Sequence, residues 1–440
     1  MRTVQSFTPL RRRALGRRRV WLAVWAVALL LTPLLAAPTA ASRRPLGDPS
    51  VISQWHVLAQ QTFLGDPGKR PQEAFLYLAF VDAAVYNAVV GIDGRYQPYK
   101  FHARPHRGAS DQAAAVAAAH KIVSTYSPYA MTALDAAYAL SLTHIPDGQA
   151  KTDGIAYGIR AANNLIALRV NDGRNGPALF TKPAAPGVWR PTPPANLSMF
   201  VPWMGAVKPL LVRSGAQFGE PGPPPAMTSS RYTRDFAEVK NLGSAGSTAR
   251  TTEQTNTALF FSGNATVQLT AALVDQMNLR HLDIVDSARL FAAVGMSMAD
   301  TIIAVWHSKL LYGFWRPITA INQADTDGNP ATTADTSWLP LLTTPPYPDY
   351  VSGYSGAVGA FTRALARTLG TPRLHLTLIS SAVAGVNRHY NSERALNGDV
   401  ISARVWLGIH FRFADTAGVR MGQQTANWAL DHYFQRIDHD

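Results

Sequence analysis

Ser287-Ala-Arg-Leu-Phe-Ala-Ala-Val-Gly-Met-Ser-Met-Ala-Asp-Thr-Ile-Ile-Ala-Val-Trp306 is apolar on almost every face. Leu290, Phe291, Val294, Met296, Met298, Ile302, Ile303 and Val305 fall on all sides of a 3.6-residue helix, the pattern of a helix surrounded by other helices. Downstream, helical spacing predicts further helices over Ser355–Leu369, Leu374–Asn387 and Val400–Phe434. Upstream, Pro71-Gln-Glu-Ala74 opens a helix to Val90, with Leu76, Leu78, Ala79, Val81 and Ala84 at helical intervals and Gly91 as its expected end. Ala113–Ser124, Thr132–Leu142 and Gln149–Val170 continue the pattern, and strand signals are scarce. Between the halves, residues 177–225 hold twelve prolines in forty-nine positions, which leaves almost no place for regular helix. Phe180, Trp189, Phe200, Trp203 and Leu210 within it predict a loop laid over the helical body. The expected fold is therefore all-α. Two packed helical bundles, residues 50–176 and 251–440, are joined by a proline-rich loop and connector over 177–250.

The chain has 440 residues, 47% hydrophobic and 16% charged, enough for a sizeable core. Its formal charge is +13, but Arg2, Arg11, Arg12, Arg13, Arg17, Arg18 and Arg19 all precede a twelve-residue apolar run, Val20 to Leu31. Small residues follow, so residues 1–41 read as an export signal, of the Sec type or, through Arg17-Arg18-Arg19-Val20-Trp21, the twin-arginine type. An uncleaved membrane anchor is the other reading of the same residues, although the run falls short of the roughly 20 apolar residues a span needs. Removing those seven arginines leaves +6, which attracts anionic small molecules and makes no case for nucleic acid. The expected mature protein is secreted or extracytoplasmic, with no later membrane span. With no cysteine, thiolate metal sites and cysteine nucleophiles are excluded.

Three clusters in the second half carry chemistry. In Lys309-Leu-Leu-Tyr-Gly-Phe-Trp-Arg316-Pro317, a spacing of seven puts both cations on one helical face, with Pro317 ending the helix. Two cations in an apolar, aromatic segment call for an anion. The alternative is a pair of snorkelling surface cations. Pro345-Pro-Tyr-Pro-Asp-Tyr-Val-Ser352-Gly353-Tyr354 runs into an apolar helix whose free N–H groups would face an anion, unless Ser352 is only an N-cap. In Arg404-Val-Trp-Leu-Gly408-Ile-His410, the two functional side chains lie about 120° apart on an ideal helix, so they meet only if the chain bends, with Gly408 the candidate.

Lys-x6-Arg-Pro, then Ser-Gly before a helix, then Arg-x5-His, in this order, resembles the vanadium-dependent haloperoxidases and type 2 phosphatidic acid phosphatases. Ala83-Ala-Val-Tyr-Asn-Ala88, Gly187-Val-Trp-Arg-Pro-Thr-Pro-Pro194 and Phe314-Trp-Arg-Pro-Ile-Thr-Ala-Ile-Asn322 look like the bacterial haloperoxidase-like branch, which extends the resemblance over roughly residues 50–438. The resemblance implies that Lys309, Arg316 and Arg404 bind the equatorial oxygens of vanadate, or of phosphate in the same site. Ser352 and the Gly353 N–H would add hydrogen bonds. His410 would attach axially, as vanadium ligand or as nucleophile on phosphorus. Three departures stand out. Tyr354 replaces the acid/base histidine of Ser-Gly-His, Ala403 replaces a serine, and Ala414 occupies the place of the acid that orients the histidine ring. Asp415 and Asp399 are the expected substitutes, and Lys309 and Tyr354 join His410 as candidate catalytic groups.

Other signals carry less. Gly295-Met-Ser297-Met-Ala299 nearly spells a serine-hydrolase elbow but lies inside a helix, where the required turn cannot form. Asp325, Asp327, Asn329 and Asp335 fail the calcium-loop spacing and read as solvated loop carboxylates. His375 and His389 are alternatives for the missing histidine, with core or surface roles expected. Phe314 and Trp315 either line a halide or substrate pocket or pack the core. Three functions stay open. One is a vanadate-dependent haloperoxidase acting on hydrogen peroxide, halide and an organic acceptor. Another is a soluble acid-phosphatase-type phosphomonoesterase, and the third an oxyanion-binding protein with altered catalysis.

Overall fold

Helices carry nearly all the regular structure in the computed structural model, which describes residues 46–437; the expected export signal, residues 1–41, lies outside them. The first bundle holds α1 (Ser50–Gly65), α2 (Ala74–Asp93), α3 (Asp111–Tyr126), α4 (Met131–Thr143) and α5 (Gln149–Leu168). After the proline-rich stretch and the single turn α6 (Ala216–Gly219) come α7 (Ser230–Leu242), α8 (Thr252–Phe260) and α9 (Ala265–Leu279). The second bundle is built on α10 (Ile284–Tyr312), α11 (Pro317–Asn322), α12 (Gly353–Leu369), α13 (Glu393–Trp406) and α14 (Arg412–His432).

The 29-residue α10 is the axis of the molecule. Asp283 caps its start, accepting from the Val285 and Asp286 N–H groups at 3.0 and 2.8 Å. It packs against α2 of the first bundle and against α12 and α14 of the second, so one hydrophobic core runs through both. Both α2 and α10 are long and apolar enough to cross a membrane by length and composition. Yet 89% and 94% of their most apolar stretches are buried by the rest of the chain. Between α12 and α14, a Cβ on Gly359 would meet the Val419 carbonyl oxygen at 2.5 Å, one on Gly418 that of Ser352 at 2.5 Å, and one on Gly422 would overlap that of Gly356, so glycine lets the two backbones approach closely beside Ser352.

Three expectations about elements are corrected. Gly91 does not end α2; it lies inside the helix against Tyr157, and Gly94, with φ +85°, makes the turn. Leu374–Asn387 is not helical. Its ends form β1 (Leu376–Ile379) and β2 (Asn387–Tyr390), an antiparallel hairpin with Leu376 opposite Tyr390. Leu376 and Leu378 are buried while Ile379 is exposed, a period-two pattern too short to outweigh the helical one in sequence. Val400–Phe434 is two helices, α13 and α14, separated by the bend 407–411.

The proline-rich segment lies over the helices and is bonded to them. Asp300, wholly buried on α10, accepts from the backbone N–H groups of Leu210, Leu211 and Val212 at 2.7, 2.6 and 2.9 Å. Trp189 donates its N–H to Gly313, Trp315 to Gly187 and Phe200 to Pro346, and the Trp306 indole N–H reaches the Phe200 carbonyl at 3.2 Å. Replacing Asp300 by Asn leaves an amide nitrogen that cannot accept, so at least one of the three N–H groups loses its partner. Asp300→Asn is expected to lower stability by about 2–3 kcal/mol, read as a reduced urea midpoint at unchanged slope.

Candidate functional site

Lys309 sits in the last turn of α10 and Arg316 is the residue before α11. The expectation that they share one helix is overturned: Gly313, at φ +61°, stops α10, and Pro317 opens α11 instead of closing the first helix. Proline suits a first helical position as well as it marks an end, so the sequence admits both readings. The cations converge all the same. Both are completely buried, and the Tyr347 ring lies under each, 5.0 Å from Lys309 Nζ and 4.9 Å from Arg316 Cζ. Lys309 Nζ donates to the Pro348 and Asp349 carbonyls at 2.5 and 3.1 Å. Arg316 donates to the Tyr347 carbonyl at 2.7 Å and to the Ile409 carbonyl at 2.6 Å.

His410 reaches this pair because α13 stops short of it. Gly408, at φ +77°, turns the chain as the spacing required. Arg250 holds the end of α13 through the Trp406 carbonyl, while Asp235 accepts the Phe413 N–H at 2.9 Å and Glu238 pairs with Arg412 at the start of α14. The His410 ring is buried between a carboxylate and a guanidinium. Nδ1 lies 2.7 Å from Asp349 Oδ1, and Nε2 lies 3.1 Å from Arg316 Nη1. A guanidinium only donates, so Nε2 carries the lone pair and Nδ1 the proton that Asp349 accepts. Burial, and then Arg316, Lys309 and Arg404, push the imidazole well below its ordinary 6.5, which keeps it neutral.

Asp349 is the residue that sequence reading missed. It lies within Pro345–Ser352, but nothing in the linear order links it to a histidine 61 positions on. Asp415 and Asp399, the expected orienting acids, are elsewhere. Asp415 accepts from Ser355 Oγ at 2.8 Å, and Asp399 accepts from the Tyr390 hydroxyl at 2.8 Å. The reason is geometric: α14 begins at Arg412 and carries Asp415 toward α12, while the loop before α12 brings Asp349 under the ring.

Ser352 precedes α12, makes no side-chain cap bond, and turns its Oγ toward Ser355 Oγ at 3.4 Å. Its own N–H is taken by the Ala414 carbonyl at 3.1 Å, which fixes the first turn of α12, Gly353 included, against the first turn of α14, just past the bend carrying His410. Arg404 enters from α13, donating to the Phe261 carbonyl at 2.9 Å, with its guanidinium over the Tyr354 ring at 4.7 Å. The Tyr354 hydroxyl donates to Gln268. Phe314 and Trp315 belong to an aromatic cluster with Phe411 and Phe413, so packing accounts for both. Ser297 bonds the Ala293 carbonyl inside α10. Asp327 is buried against the Asn329 N–H and the Thr332 hydroxyl instead of solvated. His389 is exposed beside Thr377 on the hairpin, and His375 offers its carbonyl to Gln276.

Electrostatically the site is an excess of buried positive charge. Burial first, and Arg316 second, push Lys309 well below 10.5, and burial raises Asp415 to about 7. Two of the three Lys309 protons are used, Arg316 Nη2 and Arg404 Nε have no partner among the described residues, and Asp349 and Asp415 supply the nearby carboxylates. Buried donors without acceptors around a neutral imidazole lone pair fit a compact tetrahedral oxyanion, vanadate or phosphate, better than a metal cation. Among the described residues no group of three or more His, Cys, Asp or Glu is placed to hold a cation.

The fold is all-α, and the buried cations gathered around His410 make a candidate oxyanion site. Residues 289–439 match the family described as the VCPO second helical-bundle domain. The vanadium chloroperoxidase of Curvularia inaequalis is 29% identical over a stretch covering 31% of this chain and 29% of that one, under a third of that relative's length. A bacterial vanadium-dependent iodoperoxidase structure superposes with a TM-score of 0.75 at 23% identity, covering 90% of this chain and 99% of that one. A bacterial vanadium-dependent chloroperoxidase in its holo form gives 0.68 at 17% identity, covering 89% and 98%. Residues 289–439 thus match that domain family, and the fold over about nine-tenths of the chain is that of the two bacterial structures.

Two measurements follow from the His410–Asp349 pair. Asp349→Ala is expected to weaken orthovanadate binding about 10- to 100-fold in equilibrium dialysis, because the ring loses its orienting acceptor. In the wild type, a depressed imidazole pKa keeps Nε2 unprotonated at neutral pH and protonates it only in acid. Affinity should therefore hold through pH 6.5 and fall well below it, a midpoint read from dialysis across pH.

Proposed function

We propose that the protein is an exported vanadate-dependent haloperoxidase that uses hydrogen peroxide to oxidise halide, the oxidised, electrophilic halogen then passing to an organic acceptor. The observation carrying this reading is the His410 ring, with Nδ1 bonded to a buried carboxylate and Nε2 turned toward Arg316. In this reading His410 Nε2 would hold the vanadate, and Lys309, Arg316 and Arg404 would neutralise its oxygens. Ser352 and the Gly353 N–H complete the hydrogen bonds. Bound vanadate supplies the Lewis acidity that makes hydrogen peroxide electrophilic toward halide. The residues supply preorganised positive charge, exclude water by burial and hold the imidazole in one tautomer. Lys309, with its lowered pKa and one uncommitted proton, is the side chain placed to give or take a proton at the guest. The relatives named above are haloperoxidases, which supports the same chemistry.

A phosphomonoesterase would use the same lone pair on phosphorus, but it needs a proton for the leaving group, and the Tyr354 hydroxyl is spent on Gln268. Export rests on the N-terminal arginines and apolar run alone, and the oxyanion domain is assigned to residues 251–440.

Protein loaded with orthovanadate is expected to brominate a phenol-red-type acceptor with peroxide and bromide, and His410→Ala to lose at least about 100-fold of that rate. Vanadate-inhibited hydrolysis of an aryl phosphate without bromination would instead assign a phosphatase. Oxyanion binding without either activity would assign a binding protein.

A further inference from the structure

The resemblance expects a histidine at position 354, and the tyrosine found there is held in a way a proton carrier is not. Its hydroxyl donates to Gln268 Oε1. The direction of that bond is set by the amide. Gln268 Nε2 donates to the Phe260 carbonyl at 3.1 Å and the Ile379 carbonyl at 2.9 Å, so only Oε1 remains to face the phenol. Gln268 is completely buried, and its two carbonyl partners belong to the end of α8 and to β1. The phenol is thus tied to a side chain that is itself tied at two backbone points.

The ring does something else. Its face carries the Arg404 guanidinium at 4.7 Å, while the Phe261 carbonyl takes Arg404 Nη1 at 2.9 Å. Phe261 also meets the Tyr354 ring edge-on, with centroids 6.5 Å apart at 85°. Arg404 is therefore fixed in plane by a carbonyl and out of plane by an aromatic face, with Nε left for a guest. An imidazole at 354 would offer a smaller face and no hydroxyl for Gln268.

We propose that Tyr354 is a positioning residue: anchored by Gln268, it sets the plane of the Arg404 guanidinium against the bound oxyanion and takes no part in proton transfer. This rests on the oxyanion reading of the site.

The test uses the full chain, orthovanadate and inorganic phosphate as direct-binding probes, and the pH profile of bromide oxidation. Tyr354→Phe keeps the ring and loses the anchor; its vanadate affinity is expected to fall about threefold while the limbs of the pH profile stay in place. Tyr354→Leu loses the ring, with an expected fall of about tenfold or more. In an Arg404→Lys background, Tyr354→Leu should cost less than about twofold, because the effect passes through the guanidinium. Tyr354→Phe with wild-type affinity overturns the proposal, all the more if the rate falls about 100-fold and a pH limb disappears, since the phenol would then be the proton carrier. Equal losses from Tyr354→Leu in both backgrounds overturn it as well, leaving only general packing. If Tyr354→Leu does not fold, Tyr354→Phe decides alone. A wild-type protein that binds neither vanadate nor phosphate removes the oxyanion reading itself, and the proposal with it, before any variant is compared.

Discussion

Lys309 and Arg316, both without solvent exposure, and Arg404, nearly so, surround a histidine in the middle of a helical protein. Each such charge loses several kcal/mol of hydration on burial, and the nearby carboxylates, Asp349 and Asp415, are fewer than the cations. What makes the arrangement tolerable is a set of backbone carbonyls: Pro348 and Asp349 for Lys309, Tyr347 and Ile409 for Arg316, Phe261 for Arg404. Carbonyls inside helices are already bonded, so each of these comes from irregular chain or a helix end. The site therefore has to lie where the loop before α12, the bend after α13 and the end of α8 meet.

That requirement gives the proline-rich segment a part in the site. Phe200 donates to Pro346 and accepts from Trp306, bracketing the loop whose carbonyls hold Lys309 and Arg316. Farther along, Asp300 pins residues 210–212 to the same helix that carries Lys309. The covering loop and the cage are thus both anchored to α10.

The carboxylates divide the work. Asp349 fixes the tautomer of His410, leaving Nε2 as the lone pair at the centre of the cage. Asp415 accepts from Ser355, whose Oγ lies 3.4 Å from that of Ser352. With the Tyr354 proton committed to Gln268, proton movement at the guest falls to groups that face it directly. This favours chemistry that asks little of a separate acid over leaving-group protonation.

The all-α class, the two bundles and the buried axis at 287–306 were legible in the order of residues, because apolar periodicity is local and survives without partners. The approach of Lys309, Arg316 and Arg404 to His410 was also expected from the order of the three clusters. The single helix drawn through Lys309 and Arg316 was not readable, because Gly313 and Pro317 can end one helix or start another, and only packing chooses. Asp349 was hidden for a stronger reason. Its partner is 61 residues away, and the contact exists only once the bend at Gly408 and the loop before α12 are folded against each other. The orientation of Tyr354 depends likewise on Gln268, 86 residues earlier. Short-range patterns determine which segments are helices; which polar atoms face one another is decided by the cost of leaving any of them buried without a partner, and that cost arises only in the assembled core.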